Sequence, residues 1–307
     1  MPGAEQSVAE VGLGRAYARC RAVARARARN FYYGLRLTPE PKRSGVYAMY
    51  AWMRAGDDLV DDAGDARAKR DALDRFATAT EQALSGVRPA EPAPGAPEMW
   101  AAFSDTVARF GVAREDLEAM LAGLAEDLDH TGYATMGDLR RYCGRVASSV
   151  GRVCVTIWGV RDGADLDRAR ALADRRGVAF QLTNILRDYA EDFDEGRVYL
   201  PAEAFERRGV TPGELRRWAD PGACAALALD IARVARAEFE ASAPLDGLID
   251  PTCAPTSWAM TRIYSGLLAK IEARPERIAG RARVRLPSVR KASIAVRAVA
   301  RSTRGRW

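Results

Sequence analysis

Two acidic stretches decide the fold: D-D-L-V-D-D at residues 57–62 and Q-L-T-N-I-L-R-D-Y-A-E-D at residues 181–192. In each, two aspartates stand four positions apart, Asp57 with Asp61 and Asp188 with Asp192. Residues at this spacing lie one above the other on one helix face, where two carboxylates repel unless a cation lies between them. Mg²⁺ accepts a few carboxylates and completes its shell with water and phosphate oxygens. Two facing pairs therefore predict a site that holds a diphosphate through metal ions.

The helical periodicity of both stretches favours an inward orientation of these carboxylates. At about 100° per residue, each stretch has a polar stripe that runs directly beside an apolar stripe. The polar stripe of the first helix comprises Tyr50, Arg54, Asp57 and Asp61, and that of the second comprises Gln181, Asn184, Asp188 and Asp192. A solvated polar face would more naturally lie opposite the core. We therefore expect Asp57 and Asp61 to face inward, and Asp58 and Asp62 to be turned aside.

Composition limits the classes of function. Of the 307 residues, 48% are hydrophobic, which is enough for a substantial core. The one histidine, His130, excludes metal sites that need several histidines. The cysteines show no C-x-x-C spacing, which predicts buried thiols and not a disulfide framework; they are Cys20, Cys143, Cys154, Cys224 and Cys253. Without an apolar run of 18 residues or an apolar signal region, we expect a cytoplasmic protein with no membrane span.

The net charge of +6 is concentrated in a basic C-terminal tail, residues 281–307, which contains nine Lys or Arg and no Asp or Glu. Two interpretations stay open. The tail is a solvated, partly disordered end, or it attracts the protein to the anionic inner face of a membrane, at about 1 kcal/mol per basic residue. In the second case, removing the chain from about Ala282 should weaken vesicle binding and spare the aspartate site. Because the body is slightly acidic, we expect no nucleic-acid partner.

Helix signals dominate the chain and predict one all-α domain over residues 1–307. The expected helices lie near residues 15–37, 40–61, 65–86, 98–110, 113–128, 136–158, 166–193, 220–242, 256–273 and 288–300. Thr38-Pro39 predicts a helix start, Asp65 predicts a cap, and Thr135 with Asp138 predicts a capping box. The Pro-rich residues 86–98 are interpreted as a loop within the domain. No glycine-rich nucleotide-binding motif, internal repeat or alternating strand is found.

These motifs resemble those of the squalene/phytoene synthase family, the head-to-head isoprenyl diphosphate synthases. The similarity covers about residues 31–272 and rests on five segments in order. They are F-Y-Y-G-L-R-L-T-P (31–39), Y-A-M-Y-A-W-M-R-A-G-D-D-L-V-D (47–61), Y-C-G-R-V-A-S-S-V-G (142–151), the stretch at 181–192 followed by G-R-V-Y-L-P (196–201), and Y-S-G-L-L-A-K-I-E (264–272). Two departures stand out. R-A-R-N at 27–30 replaces H-S-x-S, so Arg27 or Arg29 could face a phosphate, and Ala147-Ser148 replaces Ala-Gly.

The resemblance implies a Mg²⁺-dependent prenyltransferase with an isoprenoid synthase fold, a helical bundle around a central cavity. It implies metal binding by Asp57, Asp61, Asn184, Asp188 and Asp192. It implies substrate contacts by Phe31, Tyr50, Arg54, Gln181, Arg187, Arg197 and Tyr264. Tyr142 joins the four aspartates as a residue implied to act in catalysis, close to the reacting carbons.

The implied reaction joins two prenyl diphosphates head to head through a cyclopropylcarbinyl diphosphate, which then rearranges to a linear hydrocarbon or alcohol. The start of the chain looks more like bacterial C30 enzymes, which favours farnesyl diphosphate and presqualene diphosphate or a squalene-type product. Phytoene formation from geranylgeranyl diphosphate is the alternative. Squalene formation would need NADPH, for which no recognisable site is found. A tyrosine and the released diphosphate both stay open as the proton acceptor.

Other classes fit the sequence less well. Head-to-tail prenyl synthases and terpene cyclases share the D-D-x-x-D at residues 57–61, but the second D-D-x-x-D of the former is absent. A catalytically silent scaffold homologue would be expected to lose aspartates, and this chain keeps all of them. The sequence leaves the oligomeric state open.

Overall fold

The computed structural model describes residues 3–61, 64–90 and 92–302, without the side chains of residues 3–11 and 29–31. Within these ranges the chain forms fifteen α-helices and no β-strand. The helices are α1 (Gly3–Arg27), α2 (Arg29–Leu35), α3 (Lys42–Asp61), α4 (Ala66–Leu84), α5 (Pro97–Phe110), α6 (Arg114–Leu128), α7 (Met136–Cys143), α8 (Ser149–Trp158), α9 (Leu166–Asp194), α10 (Ala202–Arg208), α11 (Pro212–Arg217), α12 (Pro221–Ala241), α13 (Leu245–Leu248), α14 (Ala254–Ala273) and α15 (Ser288–Ser302). A π-helical turn, Gly144–Ser148, joins α7 to α8, and a 3₁₀ turn, Pro275–Ala279, follows α14.

The longest helix, α9, lies between two apolar cores. One core is formed by α9 with α12 and α14, and the other is formed mainly by α1, α3, α5 and α8. In the second core, the ring of Trp52 stacks on Phe76 and Phe103 at centroid distances of 5.6 and 5.2 Å. Phe180 on α9 packs against both cores. The two cores therefore hold α3 and α9, which carry the two acidic stretches, on opposite sides of a shared interior.

A close approach between α9 and the π-helical turn shapes this interior. A Cβ atom at Gly177 would meet the Cα of Ser148 at 2.5 Å, so glycine is required for the backbones to come this close. Ser148 Oγ donates a hydrogen bond to the carbonyl of Asp174 at 2.8 Å. Gly177 thus makes room for the backbone of Ser148, and the serine side chain, at a position where the family resemblance leads one to expect glycine, is directed to the backbone of α9 at Asp174. Irregular π turns of this kind occur often beside functional sites.

The all-α prediction is confirmed, and so are the caps at Asp65 and Thr135. Some boundaries are wrong. The span 136–158 is interrupted by the π-helical turn, the span 15–37 breaks at Ala28, and α10, α11 and α13 were not predicted. Thr38 does not start a helix: its hydroxyl is buried against Thr256 on α14, with an Oγ1–Oγ1 distance of 2.9 Å. Threonine is a common capping residue, but the hydroxyl of Thr38 makes a tertiary contact instead.

The basic C-terminal tail is part of the folded body as far as residue 302. Helix α15 packs against α14 and α2 and buries Ile294 and Ala298, while Val284 and Leu286 are buried ahead of it. The interpretation of this segment as a solvated, disordered end is therefore wrong for residues 284–298. Across the described ranges, no helix is both long and apolar enough to cross a membrane.

Candidate active site

A cavity of about 720 Å³ opens between α3, the π-helical turn, α8, α9 and α14. One end is polar and contains Arg54, Asp57 and Asn184, whereas Trp158 and Leu245 line the far end together with Arg176 and Ser257. Between them the wall is mainly apolar: Met53, Val146, Ala147, Val150, Gly151, Cys154, Val155, Ala173, Gly177, Phe180 and Met260. The cavity can thus hold a charged group at one end and an apolar chain along its length.

The polar end of the cavity is strongly cationic. Among the described residues that line it, Asp57 is the only carboxylate. The cationic side chains near it are Arg27, Arg54, Arg187, Arg283, Arg285 and Lys291. Burial lowers the pKa of Lys291, and the nearby charge of Arg285 acts in the same direction. An anionic ligand would relieve this repulsion, and diphosphate oxygens accept charge-assisted hydrogen bonds from such donors.

On α3, Arg54 lies among three aspartates. Its guanidinium pairs with Asp58 and lies 3.9 Å from Asp57 and 3.5 Å from Asp61. Arg27, at the end of α1, also binds Asp58, at 2.8 Å. As expected, Asp58 is turned aside from the cavity wall, where its carboxylate pairs with the cavity-lining Arg27 and Arg54. The expectation that Asp61 faces inward is wrong, because Asp61 does not line the cavity. Asp61 is more exposed than expected, with 52% of its side chain accessible, and Asp62 lies outside the described residues.

Asp57 faces the cavity, as the helical periodicity predicted. Although nearly half of its side chain is accessible, the packed helices around it exclude much of the solvent. Burial raises the pKa of Asp57 to about 7; the carboxylates of Asp61 and Asp127 act in the same direction, and Arg54 opposes them. An acid with a raised pKa is one whose charge the protein does not fully compensate. Asp57 is therefore suited to bind an added cation.

On α9, arginines contact both carboxylates of the second acidic stretch. Arg187 Nε lies 2.8 Å from Asp188 Oδ1, and Arg283 Nε lies 3.1 Å from the same oxygen. Arg197 lies 3.8 Å from Asp192. Burial raises the pKa of Asp192 to about 7, helped by the charge of Asp188 and opposed by Arg197. Asp188 is thus well paired with arginines, whereas the negative charge of Asp192 is poorly compensated.

The chemistry of the donor set fits Mg²⁺, although the carboxylates do not converge. Among the described residues, no three acidic, histidine or cysteine side chains lie close enough together to hold a metal ion. However, Oδ1 of Asn184 is buried in the cavity wall without a hydrogen-bond partner in the described structure, while its Nδ2 donates to Gln181 at 3.4 Å. A buried, unsatisfied oxygen beside two aspartate pairs is a ready ligand for a hard cation. Of the five residues that the resemblance implies as metal ligands, Asp57 and Asn184 line the cavity, whereas Asp61, Asp188 and Asp192 do not.

Tyr264 and Tyr50, for which the resemblance implies substrate contacts, both line the cavity. The ring of Tyr264 stacks on Phe180 at 4.4 Å, and its hydroxyl interacts with Arg187 and Asn184. Burial raises the pKa of Tyr264 to about 12, against the opposing effect of Arg187. Burial also raises the pKa of Tyr50. Both tyrosines therefore stay neutral and present aromatic faces to the cavity.

Tyr142 does not line the cavity. Its hydroxyl donates to Asp127 Oδ1 at 2.9 Å, and the hydroxyl of Tyr199 donates to the same oxygen at 3.0 Å. The two rings stack at 5.4 Å. Burial raises the pKa of Tyr142 well above its usual value, with Asp127 acting in the same direction. Asp127 and Tyr199 fix the orientation of Tyr142 beside the first acidic stretch. Neither residue was predicted to belong to the site, because both lie outside the two acidic stretches from which the site was inferred.

The most consequential residue that sequence reasoning missed is Arg283, in the basic C-terminal tail. Besides Asp188, its Nε reaches Glu191 Oε2 at 2.5 Å. Arg283, Val284, Arg285 and Lys291 all line the cavity. The expectation that removal of the tail from Ala282 spares the aspartate site is therefore wrong. The only available signal was the excess of basic residues in 281–307, and this excess predicted a surface segment because it contains no acidic residue.

We predict that Arg283→Gln will lower kcat/KM by about tenfold to a hundredfold, since one charge-assisted hydrogen bond contributes roughly 1.5–3 kcal/mol. Steady-state kinetics with purified protein test this. The matched control is Arg281→Gln, which removes an exposed arginine two positions earlier that does not line the cavity. Equal losses in the two variants would show that general charge, and not the contact with Asp188, is responsible.

Of the remaining residues for which substrate contacts were predicted, some line the cavity and others do not. Gln181 lines the cavity with Arg54 and Arg187, whereas Arg197 lies outside its wall and contacts Asp192. The side chain of Phe31 lies outside the described residues. All five cysteines are free, as predicted, and four of them are buried.

The sequence of this protein is similar to those of known squalene/phytoene synthases. A sequence model of the squalene/phytoene synthase family matches residues 24–290. A phytoene synthase of Mycobacterium tuberculosis is 33% identical over 293 residues, which cover 94% of this chain and 91% of that protein. A chloroplastic phytoene synthase of Arabidopsis thaliana is 37% identical over 206 residues, 66% of this chain and 47% of the relative. The chain thus spans about half the length of the plant relatives it matches.

Solved structures show the same fold. A dehydrosqualene synthase superposes with a TM-score of 0.78 at 25% identity, covering 94% of this chain and 96% of the other. The squalene synthase HpnC of Alicyclobacillus acidocaldarius gives a TM-score of 0.75 at 26% identity, covering 86% and 95%. Members of the matched family are prenyltransferases that condense prenyl diphosphates head to head. The chain, which carries the acidic stretches on facing helices of an all-α fold, belongs to the squalene/phytoene synthase family.

Proposed function

We propose that this protein condenses two molecules of farnesyl diphosphate head to head to presqualene diphosphate or a squalene-type product. Asp57 and Asn184 at the cationic end, the aspartate pairs on the same two helices and the long apolar cavity support the reaction class. Mg²⁺, when bound, would neutralise the leaving diphosphate as a Lewis acid. The resemblance and the unsatisfied oxygen of Asn184 support its place among the aspartates.

Different side chains around the cavity have different roles in the proposed reaction. Arg54, Arg187 and Arg283 donate to phosphate oxygens and hold the leaving group at the polar end. The apolar wall excludes water, which would otherwise consume a carbocation. The ring faces of Phe180 and Tyr264 can stabilise positive charge on the prenyl chain. Because burial keeps Tyr264 and Tyr142 protonated, the released diphosphate is the better proton acceptor at neutral pH.

The length of the cavity is the observation that favours farnesyl diphosphate. Its wall follows α9 from Arg187 at the polar end to Ala173. With the diphosphate at Arg187 and Asn184, the part left for the prenyl chain, from Asn184 to Ala173, is about 16 Å at 1.5 Å per residue. An extended chain of three five-carbon units is slightly shorter than this, and an extended chain of four units is longer. Trp158 and Leu245 line the far end. Geranylgeranyl diphosphate, with phytoene as product, is the second candidate, because the mycobacterial relative that matches nearly the whole chain is named a phytoene synthase.

The test is to incubate purified protein and Mg²⁺ with each diphosphate, with and without NADPH, and to identify the products by mass spectrometry. We expect a higher kcat/KM for farnesyl diphosphate and presqualene diphosphate as the product without NADPH. Trp158→Ala should lengthen the cavity and raise the relative kcat/KM for geranylgeranyl diphosphate, whereas Trp158→Phe should change it little. If the unaltered protein prefers geranylgeranyl diphosphate, the phytoene alternative replaces this proposal.

We also propose that the protein associates with the surface of an anionic membrane. The product is an apolar molecule that has to leave an aqueous protein. The excess of nine positive side chains in residues 281–307 supports an attraction to anionic lipids.

A further inference from the structure

Helix α15 has two apolar faces, and only one of them is used inside the protein. The inner face buries Ile294 and Ala298. On the outer face, Val289, Val296 and Val299 are 81%, 68% and 50% exposed. They are three of the five large apolar side chains that are exposed in the described part of the chain. At about 100° per residue, the three valines form one stripe opposite Ile294 and Ala298, and Val289 at its start borders the groove between α14 and α15.

Such a stripe is unusual for a helix whose packing is satisfied by its inner face. Single exposed apolar residues are common on protein surfaces, but a surface helix normally carries polar residues opposite its core-facing stripe. Here four apolar positions follow one another on the outward side, because Ala292 between Val289 and Val296 is also exposed. The stripe is too short to hold a membrane by itself, and stable anchoring of a protein needs a second, electrostatic contribution.

The charges on the same surface supply that contribution. Arg290 and Arg297 are exposed along one edge of the stripe, and neither has a carboxylate within ion-pairing distance in the described structure. The groove between α14 and α15 adds Arg262 and Arg301, whose guanidinium groups lie 5.3 and 5.4 Å from the ring of Trp258. With no acidic residue in 281–307, this surface complements an array of negative phosphates and not a surface of mixed charge.

The same segment closes the cavity on its inner side. Arg285 and Lys291 line the cavity, and Val284 is buried beside them. The outer stripe therefore lies on the reverse side of the element that covers the reaction space. In this respect the inference rests on the proposed function, since an apolar product would leave next to the stripe.

We propose that α15 is an interfacial helix that lies in the surface of an anionic bilayer. Val289, Val296 and Val299 enter the boundary between headgroups and acyl chains. Arg290 and Arg297 pair with lipid phosphates. This differs from simple attraction by a basic tail, because it requires one face of one helix.

The test is co-sedimentation of the full chain with vesicles of phosphatidylglycerol and phosphatidylcholine, and with vesicles of phosphatidylcholine alone. We expect binding to the anionic vesicles only, and weaker binding as salt rises, because charges at the surface are screened over about 8 Å at physiological ionic strength. The triple variant Val289→Ser, Val296→Ser, Val299→Ser should lower the partition coefficient by about tenfold or more. The pair Arg290→Gln and Arg297→Gln should lower it and reduce its salt dependence.

Two matched controls separate this face from general surface effects. Val87→Ser with Leu166→Ser removes the other two exposed large apolar side chains, and Arg67→Gln with Arg207→Gln removes exposed arginines elsewhere. Both control variants should bind as the unaltered protein does. None of these residues lines the cavity, so condensation in detergent should be unchanged in every variant.

The possible results show whether a bilayer or a second copy of the chain covers the stripe. If the valine variant and its control bind vesicles equally well, the proposal is wrong. It is equally wrong if analytical ultracentrifugation shows a dimer that the valine variant dissociates, because a second copy then covers the stripe. Failure of condensation in detergent with both diphosphates would contradict the proposed function and leave the vesicle result standing.

Discussion

Asp57→Asn is expected to lower kcat by at least about a hundredfold at saturating Mg²⁺, because a Lewis-acid cation contributes several kcal/mol to ionisation of the leaving group. Asp57 is the carboxylate that faces the cavity, and its charge is poorly compensated in the metal-free protein. Steady-state turnover of both prenyl diphosphates measures the effect. A variant with near wild-type activity would contradict the role of this aspartate in metal binding.

The same substitution should not weaken the metal-free fold. The pKa of Asp57 is about 7 in the folded protein, above its usual value near 3.9. Its carboxylate therefore destabilises the folded state progressively as pH rises from about 4 to about 7. Asparagine lacks this charge, so the variant should melt at the same or a higher temperature than the unaltered protein at pH 8 in EDTA. The difference should vanish near pH 4.

Asp188→Asn should reduce kcat to a similar extent but should also lower the melting temperature. Its carboxylate, 14% exposed, accepts hydrogen bonds from Arg187 and forms an ion pair with Arg283, and removing its charge leaves two arginines without this partner. Asp230 provides a matched control, since its side chain is equally exposed and pairs with Arg208 and Arg233. Asp230→Asn should lower the melting temperature and retain activity. Loss of activity in both would mean that destabilisation alone explains the result.

Removal of divalent metal is expected to abolish condensation, and addition of Mg²⁺ is expected to restore it. Without a cation, the aspartate pairs would repel the diphosphate that the arginines attract. Activity after dialysis against EDTA, before and after return of Mg²⁺, measures this effect.

A second readout for this metal dependence is the melting temperature with inorganic diphosphate. It should rise in the presence of Mg²⁺ for the unaltered protein, and the rise should be smaller for Asp57→Asn. Equal rates with and without EDTA would contradict the metal requirement. Absence of turnover under all conditions would favour the scaffold alternative.

Most of the fold and part of the site could be predicted from local pattern. The helical spans follow from hydrophobic periodicity, and the orientation of Asp57 follows from its position beside the apolar stripe of α3. The partner of Asp58 could not be predicted in this way, because Arg27 comes from another helix. Thr38 was misjudged for a similar reason, since its partner Thr256 lies far away in sequence.

By itself, the sequence determined which residues share a helix face, because residues three or four positions apart are brought together by the backbone alone. This is enough to place Asp57 above Asp61 and Asp188 above Asp192. Only the tertiary structure decided which helices face each other across the cavity and which distant side chains complete the site. Arg283 reaches Asp188, and Tyr142 turns to Asp127, because packing of the two cores brings these segments together. Such contacts depend on the shapes of whole helices, as the close approach of Gly177 to Ser148 shows, and no short stretch of sequence encodes them.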